Sequence, residues 1–192
     1  MNKVIYFFRI LFTILLLFTY IIIFSYSSES GEKSSTKSKG IMYSIICILN
    51  GKESATDEEV KAFEPLLRKL AHFGIYTMSG IWSMSLMNTF FRKNKKDEKS
   101  GENYIDKEDA ELNKNVNEAN KSKIFNNSEK KRVCICLVMG FLYACSDEIH
   151  QLFSQGRSGK AVDVFIDTMG VLNGILLVML ICKIYETMRK KG

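Results

Sequence analysis

The sequence has one proline, two histidines and no cysteine pair at a metal-binding or redox spacing. The two histidines, His72 and His150, do not form an H-x-x-x-H pair, so we predict neither a metal nor another cofactor. Basic residues are not interleaved with aromatic ones, and the sequence therefore predicts no nucleic-acid partner despite its net charge of +6. The cysteines are interpreted as small packing residues rather than as a disulfide framework. They are Cys47, Cys134, Cys136, Cys145 and Cys182.

Long apolar stretches with almost no formal charge account for much of the chain. Runs of about 20 apolar residues match a hydrocarbon core of ~30 Å at a rise of ~1.5 Å per residue. We predict an all-α fold: one membrane domain over residues 1–192, built as a bundle of four transmembrane helices. The spans are expected at about 4–24, 66–91, 133–153 and 161–182. The first could instead be a signal peptide, but its length and bulky end favour an uncleaved anchor.

Three further segments are predicted from composition. Pro65 suits the first turn of the second span, where a proline costs no intrahelical hydrogen bond. Residues 41–49 form an apolar run too short to span as a helix, so they are interfacial, re-entrant or packed on the bundle. Residues 92–132 hold nine acidic and twelve basic residues with isolated apolar ones, which predicts a disordered insertion with at most a weak helix at 107–119.

Basic residues beside the spans predict the orientation. They lie at both ends of the 92–132 segment, precede the first span at Lys3, and recur in the C-terminal tail. Because such residues favour the cytoplasmic side, both termini and the insertion are expected inside. Residues 27–64 and 154–160 are then outside. Arg68 and Lys69 are basic residues on the outer side, and this exception indicates a functional site.

The ionisable residues of the three later spans are concentrated at one end of each, and topology brings these ends together. Charged groups near the hydrocarbon boundary are costly, so they are usually paired or functional. Small residues continue the polar stripes into the membrane, including Gly170-x-x-x-Gly174, a spacing typical of close helix contact. The predicted ligand-binding residues are Lys69, His72, Asp147, Glu148, His150, Gln151, Arg157, Asp163 and Asp167.

Three interpretations of this cluster remain open. The favoured one is an outward-facing pocket that binds an anionic cell-envelope component, with Lys69 and Arg157 holding phosphate or carboxylate. The second is an integral-membrane enzyme acting on phospholipid or a lipid-linked wall precursor. In that case His150 is the general base, oriented by Asp147 or Glu148. The third is a structural ionic network, which is disfavoured because desolvated ion pairs stabilise poorly compared with apolar packing.

Two sequence blocks resemble the VanZ-like family of small bacterial membrane proteins. The first is Arg68-Lys69-Leu70-Ala71-His72-Phe73-Gly74-Ile75-Tyr76, and the second is Ser146-Asp147-Glu148-Ile149-His150-Gln151-Leu152-Phe153. The second block continues through Gly156-Arg157-Ser158-Gly159 to Asp163, Asp167 and Gly170. The resemblance does not cover the 92–132 insertion. It implies a multi-pass protein of the bacterial plasma membrane. Because the namesake is associated with low-level teicoplanin resistance, it also implies an effect on glycopeptide susceptibility.

Overall fold

Five α-helices and no strands form the part of the chain described by the computed structural model, which is residues 3–51, 55–91, 110–157 and 159–191. The all-α prediction is confirmed for these residues. In chain order the helices are α1 (Lys3–Ser27), α2 (Gly31–Asn50), α3 (Asp57–Phe90), α4 (Ala110–Leu152) and α5 (Ala161–Lys191).

Three helical segments are long and apolar enough to cross a membrane: Lys3–Ser27, Asn127–Leu152 and Ala161–Arg189. They correspond to three of the four predicted spans. The other predicted span, residues 66–91, lies in α3, where serine, threonine and asparagine dilute the apolar residues. Because α3 packs against each of the other four helices, many of its side chains contact protein. Its composition is that of a central helix.

The start of α3 differs from the prediction. The helix begins at Asp57 rather than at Pro65, which lies inside it. Thr56 caps the helix, with its hydroxyl accepting from the Glu59 N–H at 3.3 Å, and the Glu59 carboxylate accepts from the Thr56 N–H at 3.0 Å. This reciprocal capping box, followed by acidic residues that favour a helix N-terminus, starts the helix two turns earlier.

Two other segments are more helical than predicted. The apolar run 41–49 is the second half of α2, which starts at Gly31 and packs on α3 with Ile46 buried. Of the predicted disordered insertion, residues 110–132 belong to α4, and residues 92–109 lie outside the described part of the chain. Helix propagation is easier than nucleation, so a helix can continue from an apolar span into polar sequence.

Close contact between α3 and α5 is made by glycines. A Cβ at Gly174 would overlap the Thr77 carbonyl oxygen, and a Cβ at Gly80 would overlap the Val171 carbonyl oxygen. At Gly170 it would lie 2.6 Å from the Phe73 carbonyl oxygen. The close contact predicted from Gly170 and Gly174 is confirmed, since only glycine lets the two backbones approach this far.

The two ends of the bundle are tied by different contacts. At one end, called the pocket end, the Gly31 N–H donates to the Gln155 carbonyl at 2.9 Å, so α2 begins against the α4–α5 loop. At the other end, Arg9 donates to the Thr89 carbonyl at 2.9 Å and Arg132 donates to Asn88 at 2.9 Å. The charged residues at the pocket end of α3, α4 and α5 lie together around one cavity, which agrees with the predicted grouping.

Candidate functional site

A cavity of about 190 Å³ opens at the pocket end, between α3, the end of α4, the α4–α5 loop and α5. Its wall is mostly charged and polar. The lining residues are Pro65, Arg68, Lys69, His72, Glu148, Gln151, Gly156, Arg157, Lys160, Asp163, Ile166 and Asp167.

Most of the predicted site residues line this cavity. Seven do: Lys69, His72, Glu148, Gln151, Arg157, Asp163 and Asp167. Asp147 is buried behind the wall, and His150 lies on another face of α4. The sequence-based site did not include Arg68 and Lys160, although both are basic residues near predicted cations. Their positions beside Lys69 and Arg157 were the available signal.

His150 connects α4 to α1. Its ring stacks on Phe24 with centroids 4.5 Å apart, and its Nε2 lies 3.0 Å from the Ser28 hydroxyl oxygen. Ser28 donates its single proton to the Phe24 carbonyl at 2.7 Å, so Nε2 of His150 must be the donor to Ser28. The stacking on Phe24 and the contact with Ser28 place the His150 ring against α1, and it is not among the residues that line the cavity.

Glu148 and Gln151 position the α4–α5 loop. The Glu148 carboxylate accepts from the Lys160 N–H at 2.8 Å, at the start of α5. Gln151 donates to Asp147 at 3.1 Å and to Glu148 at 3.2 Å. The loop backbone turns at Gly156, whose φ of 72° is in the region that favours glycine. Arg157 follows this turn and is therefore presented from a fixed loop.

The cations of the cavity differ in their pairing. Lys69 lies 3.5 Å from Asp163, and Arg68 lies 3.9 Å from Glu64. Within the described part of the chain, Arg157 has no ion pair, and its Nε is buried without a hydrogen-bond partner. Burial and the neighbouring Arg68 lower the pKa of Arg157, but a guanidinium stays charged at neutral pH. Arg157 is thus a partly buried cation available to a ligand.

A second cluster lies beside the cavity and draws one residue from each of three helices. His72 of α3 lies 3.6 Å from Asp167 of α5, and Asp147 of α4 is adjacent. One ligand atom from each of the three lies within 4.8 Å of the others. The two carboxylates are almost fully buried, with 5% of Asp147 and 1% of Asp167 exposed.

The comparison with known families covers nearly the whole chain. The family model described as VanZ/LLP1 matches residues 11–182. The chain belongs to the VanZ/LLP1 family. The matched range contains every residue that lines the cavity. No curated protein and no solved structure matches the chain.

The structure gives the VanZ-like sequence blocks distinct positions around one cavity. The block 68–76 forms the α3 wall, and the block 146–153 ends α4 and anchors the loop. The following Gly-Arg-x-Gly segment turns the chain and presents Arg157. At Gly159 a Cβ would lie 2.8 Å from the Glu148 carbonyl oxygen, so this glycine lets the loop pack on α4. The resemblance seen in the sequence thus corresponds to one continuous site.

Proposed function

We propose that this VanZ-family protein crosses the bacterial plasma membrane four times, with both termini in the cytoplasm and the cavity facing outward. Three segments have the length and apolarity of spans, and α3 lies between them in the bundle. Large apolar side chains on α1, α4 and α5 are exposed, as lipid contact requires. Basic residues are concentrated at the end opposite the cavity, which favours that end as cytoplasmic.

The function that the geometry supports best is the binding of an anionic component of the cell envelope. Four basic residues converge on the cavity: Arg68, Lys69, Arg157 and Lys160. Phosphate and carboxylate groups pair with fixed cations of this kind, and arginine binds them in a two-pronged geometry. A lipid headgroup or a lipid-linked wall precursor offers such a group at the depth of the cavity. Acidic residues on the same wall would contact amines or hydroxyls of that ligand.

One observation carries this proposal: Arg157 is half-buried and unpaired among the described residues, while Lys69 and Arg68 already have carboxylate partners. Asp147, Glu29 and Glu148 attract Arg157 electrostatically, but none of them forms an ion pair with it in the described part of the chain, so its desolvation is only partly offset. The loop anchors at Glu148 and Gly156 hold Arg157 in place despite this cost. An anionic ligand would provide the missing partner.

The test compares two arginine variants in purified protein reconstituted into nanodiscs. Arg157→Ala removes the unpaired cation, and Arg189→Ala removes an exposed basic residue at the opposite end of α5. Native mass spectrometry measures retained phosphatidylglycerol against phosphatidylcholine. A hydrogen bond to a charged group contributes about 1.5–3 kcal/mol, so Arg157→Ala should weaken phosphatidylglycerol binding roughly 10- to 100-fold. Unchanged binding, or an equal loss in Arg189→Ala, would contradict the proposal.

We extend the proposal to glycopeptide susceptibility because the VanZ-like family resemblance implies it. Expression of the wild type in a susceptible Gram-positive host should raise the inhibitory concentration of teicoplanin. Arg157→Ala, expressed at a matched level, should lose this effect if the cavity is responsible. If the effect persists in Arg157→Ala, the cavity is not responsible for the resistance.

A further inference from the structure

The buried cluster of His72, Asp147 and Asp167 differs in character from the basic mouth of the cavity. Both oxygens of Asp167 are buried and have no hydrogen-bond partner among the described residues. Tyr76, one turn from His72 on α3, is also fully buried and its hydroxyl has no partner there. Unsatisfied buried oxygens are rare in folded proteins and require an explanation.

The surrounding cations do not neutralise these carboxylates. Lys69 is engaged by Asp163, and Arg68 by Glu64. A protonated His72 would offset one charge, but its Nδ1 is 3.6 Å from Asp167, longer than a charge-assisted hydrogen bond. Asp147 has only the amide of Gln151 as a donor. The cations that act on the two buried carboxylates are His72 and Arg157, and neither donates a hydrogen bond to them in the described part of the chain.

The geometry points to a divalent metal site formed by His72, Asp147 and Asp167, which binds a first-row transition ion such as Zn²⁺. Three protein ligands with one open position are typical of zinc sites that accept a further ligand. At metal–ligand distances of roughly 2.1 Å in a tetrahedral site, the ligand atoms lie about 3.4 Å apart. Because the present separations are up to 4.8 Å, the side chains would have to turn inward by on the order of 1 Å to bind the ion.

The donor set decides the class of ion. One imidazole with two carboxylates suits Zn²⁺ and its first-row neighbours, whereas Mg²⁺ and Ca²⁺ prefer oxygen ligands alone. A neutral His72 and two ionised aspartates would neutralise a divalent ion. His72 and Asp167 also line the cavity, so the open coordination position would face it. If the proposed anionic ligand binds there, one of its oxygens could take that position, but the metal site itself does not depend on this ligand.

The test uses the full chain, purified with a tag that contains no histidine, stripped with a chelator and given Zn²⁺ alone. After desalting, elemental analysis should find about one Zn²⁺ per chain in the wild type and in His150→Gln, which changes the other histidine. Asp167→Asn keeps the shape of the side chain but removes a metal ligand. It should weaken Zn²⁺ binding by more than the roughly 10- to 100-fold that is typical when a residue that only hydrogen-bonds to a ligand is mutated. His72→Gln should have a similar effect.

Two further results distinguish the site from a proton-sharing cluster. Without metal, Asp167→Asn should be at least as thermally stable as the wild type, because it removes a buried charge that has no hydrogen-bond partner in the described part of the chain. Zn²⁺ should stabilise the wild type and His150→Gln but not Asp167→Asn. Cobalt substitution of the wild type should give visible absorption bands. No Zn²⁺ in the wild type, or equal retention by Asp167→Asn and His72→Gln, would overturn the metal site and leave the anion-binding test unaffected.

Discussion

The contact between α3 and α5 at Gly174 allows a quantitative prediction. An added Cβ would overlap the Thr77 carbonyl oxygen and lie 2.8 Å from the Ile81 nitrogen. Both are backbone atoms of α3 and cannot move like the end of a side chain. Overpacking of this kind costs about 1–3 kcal/mol, whereas alanine gains ~1 kcal/mol over glycine in a helix. We therefore expect Gly174→Ala to lower the free energy of unfolding by up to about 2 kcal/mol.

Gly74 provides the matched control for this substitution. It lies in α3, and a Cβ there would meet nothing within 4 Å. Gly74→Ala should therefore be neutral or stabilising by up to ~1 kcal/mol. For a chain of this size, each kcal/mol corresponds to roughly 2–4 °C in Tm, measurable by intrinsic fluorescence in detergent. If Gly174→Ala melts at or above Gly74→Ala, the close backbone contact is not the constraint inferred here.

Three other predictions concern topology, the insertion and His150. In a background without the native cysteines, a membrane-impermeant maleimide should label Gln155→Cys from outside but not Lys130→Cys. The reverse labelling pattern would show that the cavity faces the cytoplasm. Replacing residues 94–126 with a short flexible linker should preserve membrane insertion and lipid binding, and loss of binding at normal expression would reveal a function in that segment. His150→Gln should leave lipid binding nearly unchanged, unlike Arg157→Ala; lipid turnover by the wild type that His150→Gln abolishes would favour an enzyme.

The sequence predicted where charged residues gather because helix geometry and membrane thickness constrain it strongly. Residues three and four apart share a helix face, and short connections place the ends of neighbouring spans together. Those two rules were enough to place most of the cavity residues. They also identified Gly170 and Gly174 as contact positions. No information about the partner helix was needed for either result.

The same rules could not predict which face of a helix contacts which neighbouring helix. His150 is three residues from Asp147, and the sequence grouped both with the site. In the structure His150 contacts Phe24 and Ser28 of α1 instead. The position of α1 decides this, and α1 has no charged residue at the pocket end that would reveal which face of α4 it covers. The early start of α3 was missed for a simpler reason: the prediction placed the first turn at Pro65, whereas the capping box of Thr56 and Glu59 starts the helix at Asp57.

Two opposite charges on the cavity wall, Arg157 and Asp167, form no ion pair with each other. Arg157 is fixed on the loop by the turn at Gly156, while Asp167 is fixed on α5 by the glycine contacts with α3. If stability alone had shaped this end of the bundle, a direct pair or an apolar replacement would have served better, since buried charges without partners are unfavourable. Rigid elements instead hold Arg157 and Asp167 on the wall of one cavity without a direct ion pair between them. That arrangement suits a ligand or ion that satisfies both sides, so removing either charge should affect binding more than folding.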